Sequence, residues 1–269
     1  ILKKQIHLAA ENGADYVKIQ AIRSSELTHR PRFDKGKIDS NGKILVIKRP
    51  YNEEYNRLKK LDLTLDNEQW FVDECKRAGI APLTTVFTLK SVDEVKNMGY
   101  EAIKIASYDC ASYPLLNNVK KFWKTIFVST GSTYDDEIQK AAEILSDVPE
   151  FHLLHCVTIY PTPISELNLR RLNFLRKFTN YVGFSDHSNV DTDGTWASKI
   201  ALALGAKSIE RHFTILDKDD TRDGPVSITP KQLKELNEFS RLSRYEMMDI
   251  IRNQYPNWEI ALGNSKRDL

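Results

Sequence analysis

Several things are scarce in this 269-residue sequence, and each scarcity excludes something. Net charge is nearly absent: 39 basic residues against 37 acidic ones leave +2. No broad basic face is therefore on offer for nucleic acid or a membrane surface, and neither is expected as a partner. Long apolar runs are missing, and none reaches the roughly 18 residues that would suggest a membrane span. Cysteine is rare. Cys75, Cys110 and Cys156 are odd in number and lack metal-site spacing, so they read as reduced thiols of a cytoplasmic protein, acting mainly as small buried side chains. No G-x-G-x-x-G follows the first apolar strand, which argues against a dinucleotide-binding sheet. The opening residues do not have the pattern of a signal peptide, and the sequence shows no low-complexity tract or clear internal repeat. The chain opens on Ile1-Leu2-Lys3-Lys4-Gln5-Ile6, which has the pattern of the middle of an amphipathic helix, so an upstream segment is expected to be missing.

The pattern that is present is an alternation of short apolar runs and helical stretches. Seven strands are predicted: Tyr16–Gln20, Pro82–Phe87, Ala102–Ala106, Ile126–Ser129, His152–Cys156, Val182–Ser185 and Lys207–His212. Nearly continuous apolar strands between helices indicate a parallel sheet covered on both faces. The predicted helices run from Ile6 to a stop at Gly13, from an Asp66-Asn67-Glu68 cap to Gly79, and from a Ser91 cap to near Gly99. Others follow over Tyr113–Lys120, Tyr134–Leu145, Leu167–Phe178 and Thr192–Leu204, and a long one runs from Thr229-Pro230 toward Ile251. Between Ala21 and Asp66 the rhythm breaks, with a small hairpin predicted in Gly36–Val46 around Asn41-Gly42. Seven strand–helix units with an incomplete start give an α/β TIM-type (β/α)8 barrel whose first strand is missing. Residues 1–260 form the single barrel domain and 261–269 a linker or tail.

In such barrels chemistry gathers where strands end. The polar residues there are Lys18 and Gln20; Thr84 and Thr85; Lys104, Ser107 and Asp109; Ser129, Thr130 and Gly131; His155, Thr158 and Tyr160; Ser185, Asp186 and His187; Glu210 and His212. Strand period two puts Lys18 with Gln20, Ser185 with His187, and Glu210 with His212 on common faces. A lysine inside an apolar strand, such as Lys104, needs a partner, because an unpaired buried ammonium costs several kcal/mol. A bound anion would serve, and so would a carboxylate such as Glu210. Ser107, Ser129 and Ser185 could complete a phosphate and carboxylate cradle, or could simply cap helices. His187 and His212, on adjacent strand ends, suggest a divalent metal with open positions, whereas His155 inside an apolar strand suits a structural or supporting role.

Six segments then occur in one order: Gly13-Ala14-Asp15-Tyr16-Val17-Lys18-Ile19-Gln20, Ile103-Lys104-Ile105-Ala106-Ser107, Val128-Ser129-Thr130-Gly131, Leu154-His155-Cys156 with Tyr160-Pro161, Gly183-Phe184-Ser185-Asp186-His187, and Glu210-Arg211-His212-Phe213. From Gly13 to about Ser227 the chain resembles the sialic acid synthase family, the phosphoenolpyruvate-condensing nonulosonate synthases. The resemblance implies an eight-stranded α/β barrel. It also implies condensation of phosphoenolpyruvate with an N-acylated hexosamine by C–O cleavage, with release of phosphate. A divalent metal is implied, manganese first and magnesium or cobalt as alternatives, and so is a cytoplasmic homodimer.

Carried across by motif, Lys18, Thr85 and Lys104 would hold the carboxylate end of phosphoenolpyruvate. Ser107, Ser129 and Ser185 would hold its phosphate, with Thr158 standing where the family often has asparagine. His187 and His212 would bind the metal, and Gln20, Asp109, Tyr160 and Asp223 would position sugar or water. The chain departs from the family at Val86, where proline is usual, and in having neither the first-strand glutamate with its Asn-His pair nor the C-terminal antifreeze-like domain. Two other readings stay open. A 3-deoxy-sugar-acid synthase acting on a phosphorylated aldose would need extra arginines, for which Arg23 and Arg30 are the nearby candidates. A catalytically silent sugar-binding barrel would fit the missing glutamate.

Overall fold

The computed structural model describes residues 1–29, 31–40, 42, 44–46 and 48–263. Eight parallel strands form one curled sheet: β1 (Tyr16–Ala21), β2 (Ala81–Val86), β3 (Ala102–Ile105), β4 (Thr125–Ser129), β5 (Glu150–Cys156), β6 (Tyr181–Asp186), β7 (Ser208–Phe213) and β8 (Ser227–Ile228). They are ordered as they occur in the chain. All seven predicted strands are present. The eighth is a two-residue strand that pairs Ser227 with His212 and Ile228 with Phe213. Among the described residues no ladder joins β1 to β8, so the sheet is a barrel with one open seam.

The two edges nevertheless come close. The helix Leu2–Glu11 before β1 lies against the helix Pro230–Ser240 after β8, and Asn237 Nδ2 donates to Asn12 O at 3.3 Å. Gly13 makes this approach possible. Its φ of +85° lies in the left-handed region, and a Cβ there would stand 1.6 Å from Asn237 Nδ2.

The apolar residues separate by strand face. Outward residues such as Ile103, Ile105, Ile126, Val128, Leu153 and Phe184 pack with helix residues in one large core. Inside the barrel a small plug of Leu83, Ala102, Phe127 and Leu154, backed by Tyr16, fills the lower part. The polar strand-end residues sit above this plug, on a buried apolar floor. The three cysteines are buried, and burial pushes the Cys75 thiol up to about 12, as suits packing rather than reactivity.

Helix boundaries moved from their predicted places for identifiable reasons. The helix Leu65–Ala78 is capped by Thr64, whose hydroxyl accepts from Asn67 N at 3.1 Å, rather than by Asp66. Thr88, not Ser91, caps Leu89–Val95, accepting from Ser91 N at 3.0 Å. The stretch predicted as a helix over Leu167–Phe178 holds only Arg171–Leu175, because Asn168 takes a left-handed φ of 50°. The helix predicted over Thr192–Leu204 begins at Trp196. The long last helix is two, Pro230–Ser240 and Arg244–Gln254, since Ser243 and Glu246 form a fresh capping box. The predicted hairpin pairs Lys37–Ile38 with Ile44–Val46, while its Asn41 falls outside the described residues. No helix among the described residues is long and apolar enough to cross a membrane.

Candidate active site

Parallel pairing places the inward residues of neighbouring strands side by side. Gln20 lies opposite Thr85, Thr85 opposite Lys104, Cys156 opposite Ser185, Ser185 opposite Glu210, and His212 opposite Ser227. The first group on this ring is cationic. Lys104 is 3% exposed and donates to Ser129 Oγ at 2.8 Å and to Glu210 Oε1 at 3.0 Å. The same Glu210 oxygen accepts from Ser185 Oγ at 2.8 Å. Lys18 Nζ reaches Thr85 Oγ1 at 3.5 Å.

Lys104 thus has its carboxylate, from a strand 106 residues away, and is not left waiting for an anion alone. Yet two ammonium groups face one carboxylate, so this part of the ring keeps an excess of positive charge. Burial lowers the Lys18 ammonium, an effect that Glu210 opposes and Lys104 reinforces. Burial also opposes ionisation of Glu210, but Lys104 and then Lys18, with the Ser185 hydroxyl, hold it well below the usual carboxylate range.

The second group is aromatic. The rings of His187 and His212 lie 5.6 Å apart between centroids. His187 Nδ1–H donates to Val157 O at 3.1 Å, which leaves Nε2 as the acceptor for the Tyr160 hydroxyl at 2.8 Å. The Tyr160 ring stacks on His187 at 4.0 Å. His212 Nδ1 stands 3.5 Å from Asp223 Oδ2. Burial, then His212, lowers the His187 imidazole to about 4, and burial, then Lys18, lowers that of His212. Both rings are therefore held in the neutral form that ligates metals, and the backbone bond to Val157 fixes which nitrogen of His187 faces the site. Among the described residues no three His, Cys, Asp or Glu side chains converge as a metal cluster. The donor set fits an ion held by two imidazoles whose remaining ligands come from water or substrate, as an open catalytic site requires.

A third group forms where the turns after β3, β4 and β5 meet. Gly131 N donates to Ser107 Oγ at 3.0 Å, and the Ser132 and Thr158 hydroxyls pair at 2.6 Å. A Cβ on Gly131 would lie 2.7 Å from Thr158 Cγ2, 2.8 Å from Ser107 Oγ and 3.1 Å from Cys156 Sγ, so only glycine lets these turns close.

Gln20 is exposed at the end of β1, and Asp109 is half-buried in the turn after β3. Asp186 departs from the predicted ring: it turns to the outer face, buried against Arg211 and Ser198. His155 also faces outward, with Nε2–H donating to Leu167 O at 2.6 Å, a structural role. Glu210 is the site residue to which the sequence gives no role beyond a strand-end carboxylate able to pair with Lys104, a pairing the structure shows. Its position two residues before His212 on the same strand face was the available signal.

Arg23, a candidate for a second phosphate, is already engaged by Glu68 at 2.6 Å and Glu94 at 3.2 Å. Arg30 falls outside the described residues.

Known proteins resemble this chain in sequence and fold. The sequence model of the NeuB family matches residues 5–250. The chain is 34% identical over 265 residues to the N,N'-diacetyllegionaminic acid synthase of Campylobacter jejuni, covering 94% of this chain and 74% of that protein. It is 29% identical to a pseudaminic acid synthase of the same species, over 99% of this chain and 71% of the other. Among solved structures it resembles the N-acetylneuraminic acid (sialic acid) synthetase of Leptospira borgpetersenii in complex with citrate. That match has a TM-score of 0.74 and 26% identity, over 95% of this chain and 86% of that one.

Proposed function

Because the chain belongs to the NeuB family, we propose that it is a nonulosonate synthase that condenses phosphoenolpyruvate with an N-acylated hexosamine and releases phosphate by C–O cleavage. The observation that carries this reading is the pairing of two half-sites at the strand ends. Lys18 and Lys104 face the single carboxylate of Glu210, and across the ring stand two neutral imidazoles with their rings 5.6 Å apart. One half suits an anion of more than one charge; the other suits a divalent metal.

In this reading Lys18, Thr85 and Lys104 grip the carboxylate of phosphoenolpyruvate, and Ser129, Ser185, Ser107 and Thr158 surround its phosphate. Gln20, Asp109, Tyr160 and Asp223 orient the open-chain sugar and a water. His187 and His212 would hold a divalent ion, manganese or alternatively magnesium or cobalt, which when bound supplies Lewis-acid polarisation of an aldehyde. C3 of phosphoenolpyruvate attacks the aldehyde carbon. C2 gains oxocarbenium character, water adds there, and the C–O bond to phosphate breaks. The fixed cations keep the anion in line, so positioning and electrostatic preorganisation supply most of the catalysis. The same family reading makes the protein a cytoplasmic homodimer, and its three buried cysteine thiols are in keeping with a reducing compartment.

The engagement of Arg23 by two carboxylates weighs against a phosphorylated aldose as acceptor. The test is phosphate release from phosphoenolpyruvate with manganese and a panel of acceptors: N-acetylmannosamine, di-N-acetylated 6-deoxyhexoses and phosphorylated aldoses. Release with an N-acyl hexosamine is expected. Release only with a phosphorylated aldose would transfer the assignment to the 3-deoxy-sugar-acid synthases. Binding of phosphoenolpyruvate with no release would leave a silent barrel.

A further inference from the structure

On the outer face of the sheet, behind the two imidazoles, lies a buried ion pair with no place in the chemistry above. Asp186 and Arg211 are direct register partners on β6 and β7, 0% and 3% exposed, with Arg211 Nη1 2.7 Å from Asp186 Oδ1. Each is followed at once by a site histidine, Asp186 by His187 and Arg211 by His212.

The bonds run past the pair itself. Asp186 Oδ1 accepts from Ser188 N at 2.8 Å, and Oδ2 accepts from Ser198 Oγ at 2.5 Å on the covering helix. Arg211 Nη1 donates to Ser188 Oγ at 2.9 Å, and Nη2 to Ser188 O at 3.4 Å. His187 is thus gripped on both sides, at 186 and 188, by groups that converge on the residue preceding His212. The grip extends to the Tyr160 turn, where Thr162 N donates to His187 O at 2.8 Å and Thr162 bridges Ser188.

We propose that Asp186 and Arg211 are positioning residues, a clamp behind the sheet that sets the spacing and ring orientation of His187 and His212. The proposal rests on the reading of those histidines as ligands of a divalent ion. A buried ion pair is a poor stabiliser: replacing both partners with neutral groups of similar volume is often neutral or favourable. Stability alone therefore does not account for three charge-assisted bonds that all meet at Ser188, the neighbour of one site histidine, two of them to its backbone. Ligand orientation does, because loss of the groups that orient metal-binding histidines typically costs about 10–100-fold in metal affinity. Arg211 suits the task because its planar fork reaches Asp186 and Ser188 together, which a lysine ammonium cannot do with the same geometry.

The test compares the wild type, Arg211→Lys and the double variant Asp186→Asn/Arg211→Met, in which no buried charge is stranded. Mn2+ affinity is read by electron paramagnetic resonance, phosphoenolpyruvate affinity is read without metal, and thermal melts report the fold. The double variant is expected to fold and to bind phosphoenolpyruvate within about twofold of wild type, but to lose about 10–100-fold in Mn2+ affinity. Arg211→Lys should fall between the two. A folded double variant with wild-type Mn2+ affinity would overturn the clamp, and so would a parallel loss of both ligands. If the wild type itself binds no Mn2+, the metal reading fails separately. The clamp is then judged by the ring-nitrogen NMR signals of His187 and His212: shifts in the double variant support it, and unchanged signals overturn it.

Discussion

Lys104 Nζ lies 3.0 Å from Glu210 Oε1, joining the third and seventh strands across the interior of the barrel. The pair holds a cation in place above an apolar plug and leaves Lys18 as the excess charge. Removing one partner alone strands the other. Lys104→Met should therefore lose about 3 kcal/mol of stability, together with phosphoenolpyruvate binding. The double variant Lys104→Met/Glu210→Gln should recover part of the stability, since Lys18 then lacks its carboxylate, and none of the binding. Denaturant melts and ligand titration across this double-mutant cycle check both halves.

Gly131 closes the turns that carry Ser107 and Thr158, with no room for a methyl group. Gly131→Ala should spread them and weaken phosphoenolpyruvate binding about tenfold, or ~1.4 kcal/mol, with the far-UV spectrum unchanged. An affinity equal to wild type in isothermal titration would separate these turns from the anion site.

Tyr160 caps His187 from the solvent side, its hydroxyl 2.8 Å from Nε2. Half-exposed, it adds little to the core. Tyr160→Phe should keep the melting temperature within a degree or two while lowering kcat/KM for the acceptor sugar about tenfold or more. A lower melting temperature with unchanged kinetics would assign the tyrosine to structure.

Away from the site, Glu74 is buried on the helix Leu65–Ala78 and meets His7, Arg77 and Lys3, which lie on two helices. The hydrogen bond from His7 and those from Arg77 and Lys3 outweigh burial and hold its carboxyl at about 2, below the ordinary 4.5. A depressed carboxylate contributes stability above its unfolded value, and that contribution is lost as pH falls through the folded one. The stability difference between wild type and Glu74→Gln should thus stay flat above about pH 5 and shrink from pH 4.5 toward 2. A difference that stays constant through that window in urea melts would contradict the pairing.

The strands were legible because buried parallel strands are apolar throughout, and the helix stops at Gly13 and Gly79 because left-handed caps favour glycine. Ser227–Ile228 was not legible: two residues carry no period. The break at Ser243 was hidden because apolar spacing continues across it, although Ser243 and Glu246 hold the capping-box spacing. Within the site, residue types and strand ends were readable, and period two placed Glu210 beside His212. What a sequence withholds is partnership. Glu210 could be named as a possible carboxylate for Lys104, but that it is the partner, that Arg23 is taken by Glu68 and Glu94, and that Asp186 turns its back on the site all depend on contacts between distant segments.

The central claim is C–O cleavage of phosphoenolpyruvate during condensation with an N-acyl hexosamine. Phosphoenolpyruvate labelled with 18O at the bridging oxygen tests it most directly, with the released phosphate read by mass spectrometry in the presence of manganese and the acceptor sugar. The account predicts that the label leaves with phosphate and that the new C2 oxygen comes from water. Label retained in the sugar acid, with unlabelled phosphate, would mean P–O cleavage and would contradict it.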